Sequence, residues 1–295
     1  MKNIKIYIIT YKRSEVLNKT LESIFSSDLS EYEKTSVTII NNHTDFNLQD
    51  EFKDRVKVLH NMTRPDWSCG NLSENYNQAF IHGFKNLDKP DCDILVTLQN
   101  DAIVPKDFIS KVLEMHKHYD FVIGPYGDNY TSHTATSVKK IGMWDENFCG
   151  GQYKEADYAI RSMIEYPERS CVHDELCNLY FNDSNFLHVT LTEGMNYEKG
   201  SLSKGHYADI KRLPDDQVHL SIKQKQTQFR NLYKNYFYHK WDGTWKQPPN
   251  AVGWIHSWPK DFTENPPSRP KIKTYMKYPY FEFAIENLKQ KGYVL

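Results

Sequence analysis

The sequence has a run of apolar residues at 94–98 that leads directly into three polar residues, Gln99, Asn100 and Asp101. Carboxylate and amide oxygens at one point suit a divalent cation that bridges the oxygens of a diphosphate. The same residue types also favour tight turns, so a strand that merely ends in a polar turn is the alternative interpretation. The residue types therefore predict either a metal and phosphate site or a structural strand end.

A second group of ionisable residues lies at 154–161, in the segment KEADYAIR. Asp157 and Arg161 are four residues apart, a spacing that places them on one face of a helix as an ion pair. Glu155 lies at the predicted start of this helix, where the helix dipole favours an acid in any case. A proton-transfer role and a purely structural role are both open for these residues.

Alternating strand and helix patterns predict the elements that position these residues. Strands are predicted at 4–10, 37–40, 55–60, 94–98 and 121–124, and helices begin near residues 14, 72 and 105. This alternation predicts an α/β fold with a mostly parallel, Rossmann-like central sheet flanked by helices. Ligands bind beyond the carboxyl ends of such strands. The polar residues that follow the strands are therefore expected to converge on one crevice.

The pattern changes after residue 125. Residues 124–137, GPYGDNYTSHTATS, are predicted to form a loop, and helices are predicted at 155–164 and 215–240. The basic and aromatic stretch at 222–241, which includes Lys240, is interpreted as a solvated helix face, with contact to a membrane surface as the alternative. Residues 244–295, rich in Pro and Trp, are predicted to wrap over the domain as an irregular C-terminal extension.

Composition excludes several classes of protein. The net charge of −1 gives no field that would recruit nucleic acid. The five cysteines are scattered without a CxxC pair, which favours reduced thiols over a disulfide framework or a zinc site. The N-terminal apolar run is too short for a signal peptide or a membrane span. We therefore expect a cytoplasmic protein whose membrane contact is at most peripheral.

The series of motifs resembles family 2 glycosyltransferases, enzymes of the GT-A fold that use nucleotide-sugar donors. The resemblance covers roughly residues 4–165 and rests on the blocks IYIITYKRSEVLNKTLESIFSSD, TIINNHTD, GNLSENYNQAF, TLQNDAIVPKDFI and VKKIGMWDENFCGGQYKEADYAIR. The segment YFYHKWDG near residue 240 resembles a closing motif of the rhamnosyltransferase-like branch. The resemblance implies a GT-A domain at 1–243, with a nucleotide-sugar-binding half to about residue 125 and an acceptor-binding half at about 126–243.

The resemblance also implies a donor site and a metal site. Asp101 is the expected ligand of Mn²⁺ or Mg²⁺, and His188 is a second candidate, although a lone histidine is more often structural. Gln99 replaces the first acid of the family's D-x-D motif, which lowers the negative charge available to the metal. The expected donor-binding residues, which include base-reading amides, a stacking tyrosine and phosphate-binding arginines, are Thr10, Tyr11, Arg13, Asn41, Asn42, Arg64, Asn71, Gln99 and Asn100.

On the acceptor side, the resemblance assigns the catalytic residues to 154–161. Glu155 falls at the position of the general base, Lys154 replaces an acid of the family motif, and Asp157 completes the catalytic group. Trp144 and Asp145 are expected to contact the acceptor or the donor sugar, although Trp144 is equally suited to packing.

These features together predict an inverting glycosyltransferase of polysaccharide biosynthesis. It would move a hexose, 6-deoxyhexose or pentose from a UDP- or TDP-sugar to a hydroxyl of a glycan or glycolipid. Gln99 and the shifted base at Glu155 support an alternative, a catalytically impaired protein that binds carbohydrate or nucleotide. A sugar-1-phosphate nucleotidyltransferase is disfavoured, because the segment TYKRSE has no glycine for a phosphate-binding loop.

Overall fold

The computed structural model describes residues 2–11, 14–44, 46–61, 72–124, 127–148, 153–172, 187–188, 236–237 and 240–241. The strands of these residues, in chain order, are β1 (Ile4–Thr10), β2 (Thr35–Asn41), β3 (Val56–His60), β4 (Ile94–Gln99), β5 (Ala102–Ile103), β6 (Phe121–Gly124), β7 (Gly127–His133), β8 (Ser170–Cys171) and β9 (Leu187–His188). All five strands predicted from the sequence are present, within two residues of the predicted bounds.

The helices of the described residues are α1 (Ser14–Phe25), α2 (Asp50–Lys53), α3 (Leu72–Phe84), α4 (Phe108–His118), α5 (Ala135–Ile141) and α6 (Lys154–Glu165). Short 3₁₀ turns lie at Asp28–Glu31 and Pro167–Arg169. Among the helices that the structure describes, none combines the length and the apolar character needed to cross a bilayer. The predicted helix at 215–240 falls mostly outside the described residues.

Seven of the described strands form one sheet in the order β3-β2-β1-β4-β7-β6-β8. β3, β2, β1 and β4 are mutually parallel, whereas β7 runs antiparallel to both of its neighbours. The register pairs Thr10 with Asn41 and Ile9 with Gln99. The α/β class and the mostly parallel sheet are therefore confirmed, and the carboxyl ends of four adjacent strands lie along one edge.

Helices cover both faces of this sheet. Leu17 of α1 and Ile109 of α4 share one buried cluster with Ile8 of β1. The next residue of that strand, Ile9, belongs to a second buried cluster that contains Phe80 of α3. Successive side chains of a strand point to opposite faces, so a continuous apolar strand requires apolar cover on both sides. The apolar clusters on the two faces hold the sheet between them, so the ends of its strands keep fixed positions relative to one another.

The prediction of a loop at 124–137 is wrong, because this segment contains β7 and the start of α5. Its Gly, Asp, Asn and Ser residues are typical of turns, yet the strand lies in the middle of the sheet. Its polar side chains are accommodated by buried partners: the hydroxyls of Thr131 and Thr97 lie 2.6 Å apart, and Tyr130 donates to Ser132 at 2.8 Å. Side-chain hydrogen bonding therefore replaces the apolar pattern that marks the other strands.

Candidate active site

The polar residues at the ends of β1 and β4 are joined by hydrogen bonds. The Asn100 side chain donates to the hydroxyl of Thr10 at 3.2 Å. The hydroxyl of Thr20 on α1 donates to the carbonyl oxygen of Asn100 at 2.8 Å. The turn after β4 is thus hydrogen-bonded both to the neighbouring strand β1 and to helix α1. Asp101 lies in this turn, with 3% of its surface exposed.

The two asparagines at the end of β2 are buried, and their side chains bind the protein itself. Asn41 donates to the carbonyl oxygen of His43 at 2.7 Å, and Asn42 donates to that of Thr10 at 3.1 Å. Asn61, directly after β3, donates to the side-chain oxygen of Asn42 at 3.0 Å. These amides align the strand ends at the edge of the crevice. Their predicted role in reading a nucleobase stays a prediction.

Backbone pairing places His188 beside the candidate metal ligand Asp101. β5 and β9 form a separate two-stranded antiparallel sheet in which His188 lies opposite Ala102, the residue after Asp101. The carboxylate of Asp101 is the kind of oxygen ligand that Mn²⁺ and Mg²⁺ prefer. Among the side chains that the structure describes, no group of three or more His, Cys, Asp and Glu residues could hold a metal ion.

A continuous chain of buried polar contacts runs from the end of β4 to the start of α6. The Gln99 side chain acts on the hydroxyl of Tyr76 on α3 and lowers its pKa, although burial outweighs this effect. Tyr76 donates to the carboxylate of Asp128 on β7 at 2.6 Å. Lys154 then pairs with Asp128 at 2.7 Å and with Glu155 at 3.2 Å. The candidate donor side and the candidate base are therefore parts of one buried network, which we call the Gln99–Glu155 network.

Glu155 has the electrostatic properties of a general base. Glu155 is 8% exposed, and burial raises the pKa of its carboxyl to about 6. Lys154 counteracts this increase in the pKa, whereas Asp128 adds to it. A carboxylate with a pKa near the working pH is ionised and still has a useful affinity for a proton. The predicted role of Glu155 is thus chemically reasonable in this environment.

The residue before α6 has an unusual backbone conformation. Tyr153 has a backbone φ of 67°, in the left-handed region that residues other than Gly, Asn and Asp rarely adopt. Its ring packs on Phe237, with the centroids 5.3 Å apart. This sharp entry to the helix directs the first two residues of α6, Lys154 and Glu155, into the network. A costly conformation at this point is in keeping with a functional constraint.

Asp157 and Asp145 are fully buried and share a lysine from the C-terminal part of the chain. The ammonium group of Lys240 lies 2.7 Å from the carboxylate of Asp157 and 2.6 Å from that of Asp145. Lys240 and Asp157 have no exposed surface, and Asp145 is 1% exposed. Arg161 pairs with Asp157 at 3.0 Å, and the indole of Trp241 donates to Asp157 at 3.1 Å. Burial alone would raise the pKa of Asp157, but Lys240 and Arg161 outweigh burial and lower it.

Two interpretations of the sequence change with this geometry. The interpretation of Lys240 as part of a solvated or membrane-facing helix face is wrong, because its ammonium group is buried between two carboxylates. Trp144 has no exposed surface and stacks on Tyr158 with the ring centroids 4.2 Å apart. This arrangement supports the packing role that was the alternative for Trp144. The contacts of Asp145 and Asp157 likewise support structural roles in this conformation.

Some predicted residues fall outside the described part of the chain, namely Arg13, Arg64 and Asn71. Tyr11 is described, and its ring meets that of His43 at a centroid distance of 5.1 Å. The sequence analysis missed Tyr76 and Asp128. Asp128 was hidden by the turn-like composition of β7, and nothing in the sequence around Tyr76 indicated that its hydroxyl has a polar partner on another strand.

The chain was compared with protein families and with proteins of known sequence or structure. The model of the family described as glycosyl transferase family 2 matches residues 5–171, which is more than half of the chain. A search of curated protein sequences finds no significant match.

Three solved structures are similar to this chain. The mannosyltransferase PcManGT from Pyrobaculum calidifontis, in complex with GDP-Man and Mn²⁺, is 11% identical, with a TM-score of 0.46 over 84% of this chain and 77% of that one. S. aureus TarS is 12% identical, with a TM-score of 0.40 over 57% of this chain, which spans only 34% of TarS. Glucosyl-3-phosphoglycerate synthase from Mycobacterium tuberculosis, in complex with Mn²⁺, UDP and phosphoglyceric acid, is 10% identical, with a TM-score of 0.39 over 58% of this chain and 67% of that one.

Proposed function

Because the chain belongs to glycosyl transferase family 2, we propose that it transfers a sugar from a nucleotide diphosphate sugar to a hydroxyl group of a glycan or glycolipid, with inversion at the anomeric carbon. The observation that carries this proposal is the Gln99–Glu155 network. It links the strand end that holds Asp101 to a buried acid whose pKa is raised to about 6.

In the proposed reaction, the acceptor oxygen attacks the anomeric carbon of the donor sugar. The bond between that carbon and the diphosphate oxygen breaks, and the nucleoside diphosphate leaves with the bonding electrons. Glu155 accepts the proton of the acceptor hydroxyl in this step. The carboxylate is suited to this task because its surroundings keep its proton affinity higher than that of an exposed glutamate.

Asp101, together with His188, is the proposed place for a Mn²⁺ or Mg²⁺ ion. Such an ion would supply positive charge for the diphosphate leaving group. Gln99 contributes an amide where the family has an acid, so we expect binding of the ion to depend strongly on the phosphate oxygens of the nucleotide-sugar donor. A weak affinity for the metal alone and a strong mutual dependence of metal and nucleotide follow from this arrangement.

The finer features of the proposal rest on fewer residues. We propose a UDP- or TDP-sugar donor, since amides such as Asn41 and Asn42 offer both donors and acceptors to a pyrimidine. Membership of the rhamnosyltransferase-like branch is proposed from the closing motif, of which Tyr236, Lys240 and Trp241 are docked on Asp145 or on α6. A cytoplasmic location, with membrane contact that is at most peripheral, remains part of the proposal.

We predict that UDP or TDP raises the apparent melting temperature of the protein and that Mn²⁺ increases this effect. A ligand that binds only the folded state stabilises it by an amount set by the ratio of its concentration to its Kd. The measurement is a thermal-shift titration with UDP, TDP, GDP and CMP, each with and without Mn²⁺. In the Asp101→Asn variant, the effect of the nucleotide alone should persist while the increase due to Mn²⁺ disappears. Asp107→Asn, at an exposed position, is the matched control.

A product assay with the corresponding nucleotide sugars then identifies the sugar. Transfer or slow hydrolysis of one donor, with release of its nucleoside diphosphate, is the expected result. If none of the nucleotides shifts the melting temperature and no donor is consumed, the proposal of an active transferase is wrong. Binding without turnover would instead favour the catalytically impaired protein suggested by Gln99.

A further inference from the structure

Lys154 occupies a position that a lysine rarely takes. Lys154 is 1% exposed, and its ammonium group lies between two carboxylates, 2.7 Å from that of Asp128 and 3.2 Å from that of Glu155. A buried lysine keeps its charge only with close anionic partners. Here burial would lower the pKa of Lys154, but Asp128 and Glu155 outweigh it and raise the pKa. Lys154 therefore stays positively charged across the range in which Glu155 titrates.

Asp128 is held more firmly than Glu155. The hydroxyl of Tyr76 donates to its carboxylate at 2.6 Å and to its backbone carbonyl oxygen at 3.2 Å, and Asp128 lies on β7. The shorter of the two contacts of Lys154 is also the one with Asp128. Tyr76 thus holds Asp128, Asp128 holds the ammonium group of Lys154, and the ammonium group holds the carboxylate of Glu155.

The charges of this group do not cancel. One ammonium group faces two carboxylates, so the group carries an excess negative charge when both acids are ionised. Because Asp128 already has the hydroxyl of Tyr76 and the shorter lysine contact, Glu155 is the acid with less compensation. The contact with Lys154 therefore has to serve two buried carboxylates at once, and Glu155 has the longer share of it.

We propose that Asp128 and Lys154 are positioning residues that act as a unit on Glu155: Lys154 orients the carboxylate and keeps it ionised, and Asp128 draws the ammonium group away so that the carboxylate remains able to take a proton. This inference rests on the proposed function, in which Glu155 is the general base. Neither residue is required to touch the substrate.

The groups that face Glu155 come from three elements of the described structure. Lys154 precedes it on α6, Asp128 lies on β7, and Tyr76 lies on α3. Burial raises the pKa of Tyr76 well above its ordinary value, so its hydroxyl is neutral whenever Glu155 titrates. Any change in the titration of Glu155 in the variants below therefore comes from Asp128 or Lys154.

The test compares Asp128→Asn with Lys154→Met. Removing the negative charge should lower the pKa of Glu155, and removing the positive charge should raise it, each by about one pH unit or more. The titration of Glu155 is followed by NMR of protein labelled at the glutamate carboxyl carbons, with the signal assigned by its absence in Glu155→Gln. The acidic limb of the pH profile of kcat/KM should move in the same direction in each variant.

Two further variants keep the test informative. Asp54→Asn, at an exposed position, should leave both readouts unchanged. If Lys154→Met alone does not fold, the double variant Asp128→Asn with Lys154→Met removes both charges of the buried pair and still reports on Glu155. Its carboxyl should then titrate at or above the wild-type value, because burial remains and the compensating cation is absent.

The outcomes separate this inference from the proposed function. Failure of the wild-type protein to consume any donor refutes the function and needs no variant. If the NMR titration of Glu155 does not move in opposite directions in the two single variants, the inference is wrong whatever the activity. It is also wrong if the titration moves while the pH profile of kcat/KM does not, because the pair then acts on Glu155 without acting on the reaction.

Discussion

Lys240→Met is expected to destabilise the protein by roughly 3–5 kcal/mol, because it removes the charged partner that two buried carboxylates share. Lys240 is the shared cation of Asp145 and Asp157, and all three residues are buried. Asp157 keeps its ion pair with Arg161, and Asp145 keeps the hydrogen bonds that it accepts from the Tyr236 hydroxyl and from the backbone amide of Asn147, both of which are neutral groups. The free energy of unfolding, measured by urea denaturation, tests this expectation.

The pattern of rescue distinguishes a lost ion pair from a lost side chain. Lys240→Met combined with Asp145→Asn should recover a substantial part of the loss, because a buried carboxylate is removed together with the cation that it paired with. Lys140→Met, at an exposed position of α5, should change the free energy of unfolding by no more than about 0.5 kcal/mol. A loss below about 1 kcal/mol in Lys240→Met would show that Lys240 is not buried between Asp145 and Asp157 in solution.

The pH dependence of the same variant has a definite sign. The pKa of Asp157 is lowered in the folded protein, so its ion pairs contribute stability at neutral pH that is lost as the pH falls through the folded-state pKa. Without Lys240 this contribution is smaller. The difference in stability between wild type and Lys240→Met should therefore shrink on acidification, and a difference that grows would contradict the assignment.

The strands that carry the crevice could be predicted because their apolar residues are continuous. β1, β2 and β4 are covered by helices on both faces, and only apolar side chains satisfy that environment. Their ends could be placed at one edge because parallel strands in adjacent positions share a direction. The family match confirms the GT-A fold class that the motifs suggested. The part of the fold that depends on burying apolar surface was thus readable from the sequence.

β7 and the docked C-terminal residues could not be predicted, because polar contacts hold them in place. Asp128 on β7 and Lys240 near the C-terminal end have side chains that are ordinarily exposed. Each is buried here only because a partner far away in the sequence satisfies it, Tyr76 in the first case and Asp145 in the second. A pattern along the chain does not encode such pairs. The residues of the site that sequence reasoning missed are of this kind.

Glu155→Gln is expected to reduce the rate of sugar transfer by about 10²–10⁴-fold, the range that a well-placed general base contributes. The amide keeps the shape of the side chain but cannot accept the proton of the acceptor hydroxyl. Binding of the nucleoside diphosphate should be unchanged, since the base acts on the acceptor. The measurement is kcat at saturating donor and acceptor, with the thermal shift by nucleotide as the test of an intact donor site.

The same substitution should make the protein more stable at neutral pH. Burial raises the pKa of Glu155 from 4.5 to about 6 in the folded protein. The favourable contribution of its protonated form is complete below pH 4.5 and is lost as the pH rises through about 6. Wild type therefore carries a buried charge above pH 6 that the amide avoids, and the gain in Glu155→Gln is at most about 2 kcal/mol.

This gain should disappear as the pH is lowered towards 4.5, where the wild-type carboxyl is itself neutral on folding. Glu165→Gln, on an exposed position of the same helix, is the control and should change neither the transfer rate nor the pH dependence. Loss of activity together with a gain in stability is expected when a residue is held in an environment that costs stability but serves the reaction. Unchanged turnover in Glu155→Gln would mean that another group takes the proton, whereas lost turnover with lost stability would assign Glu155 a structural role.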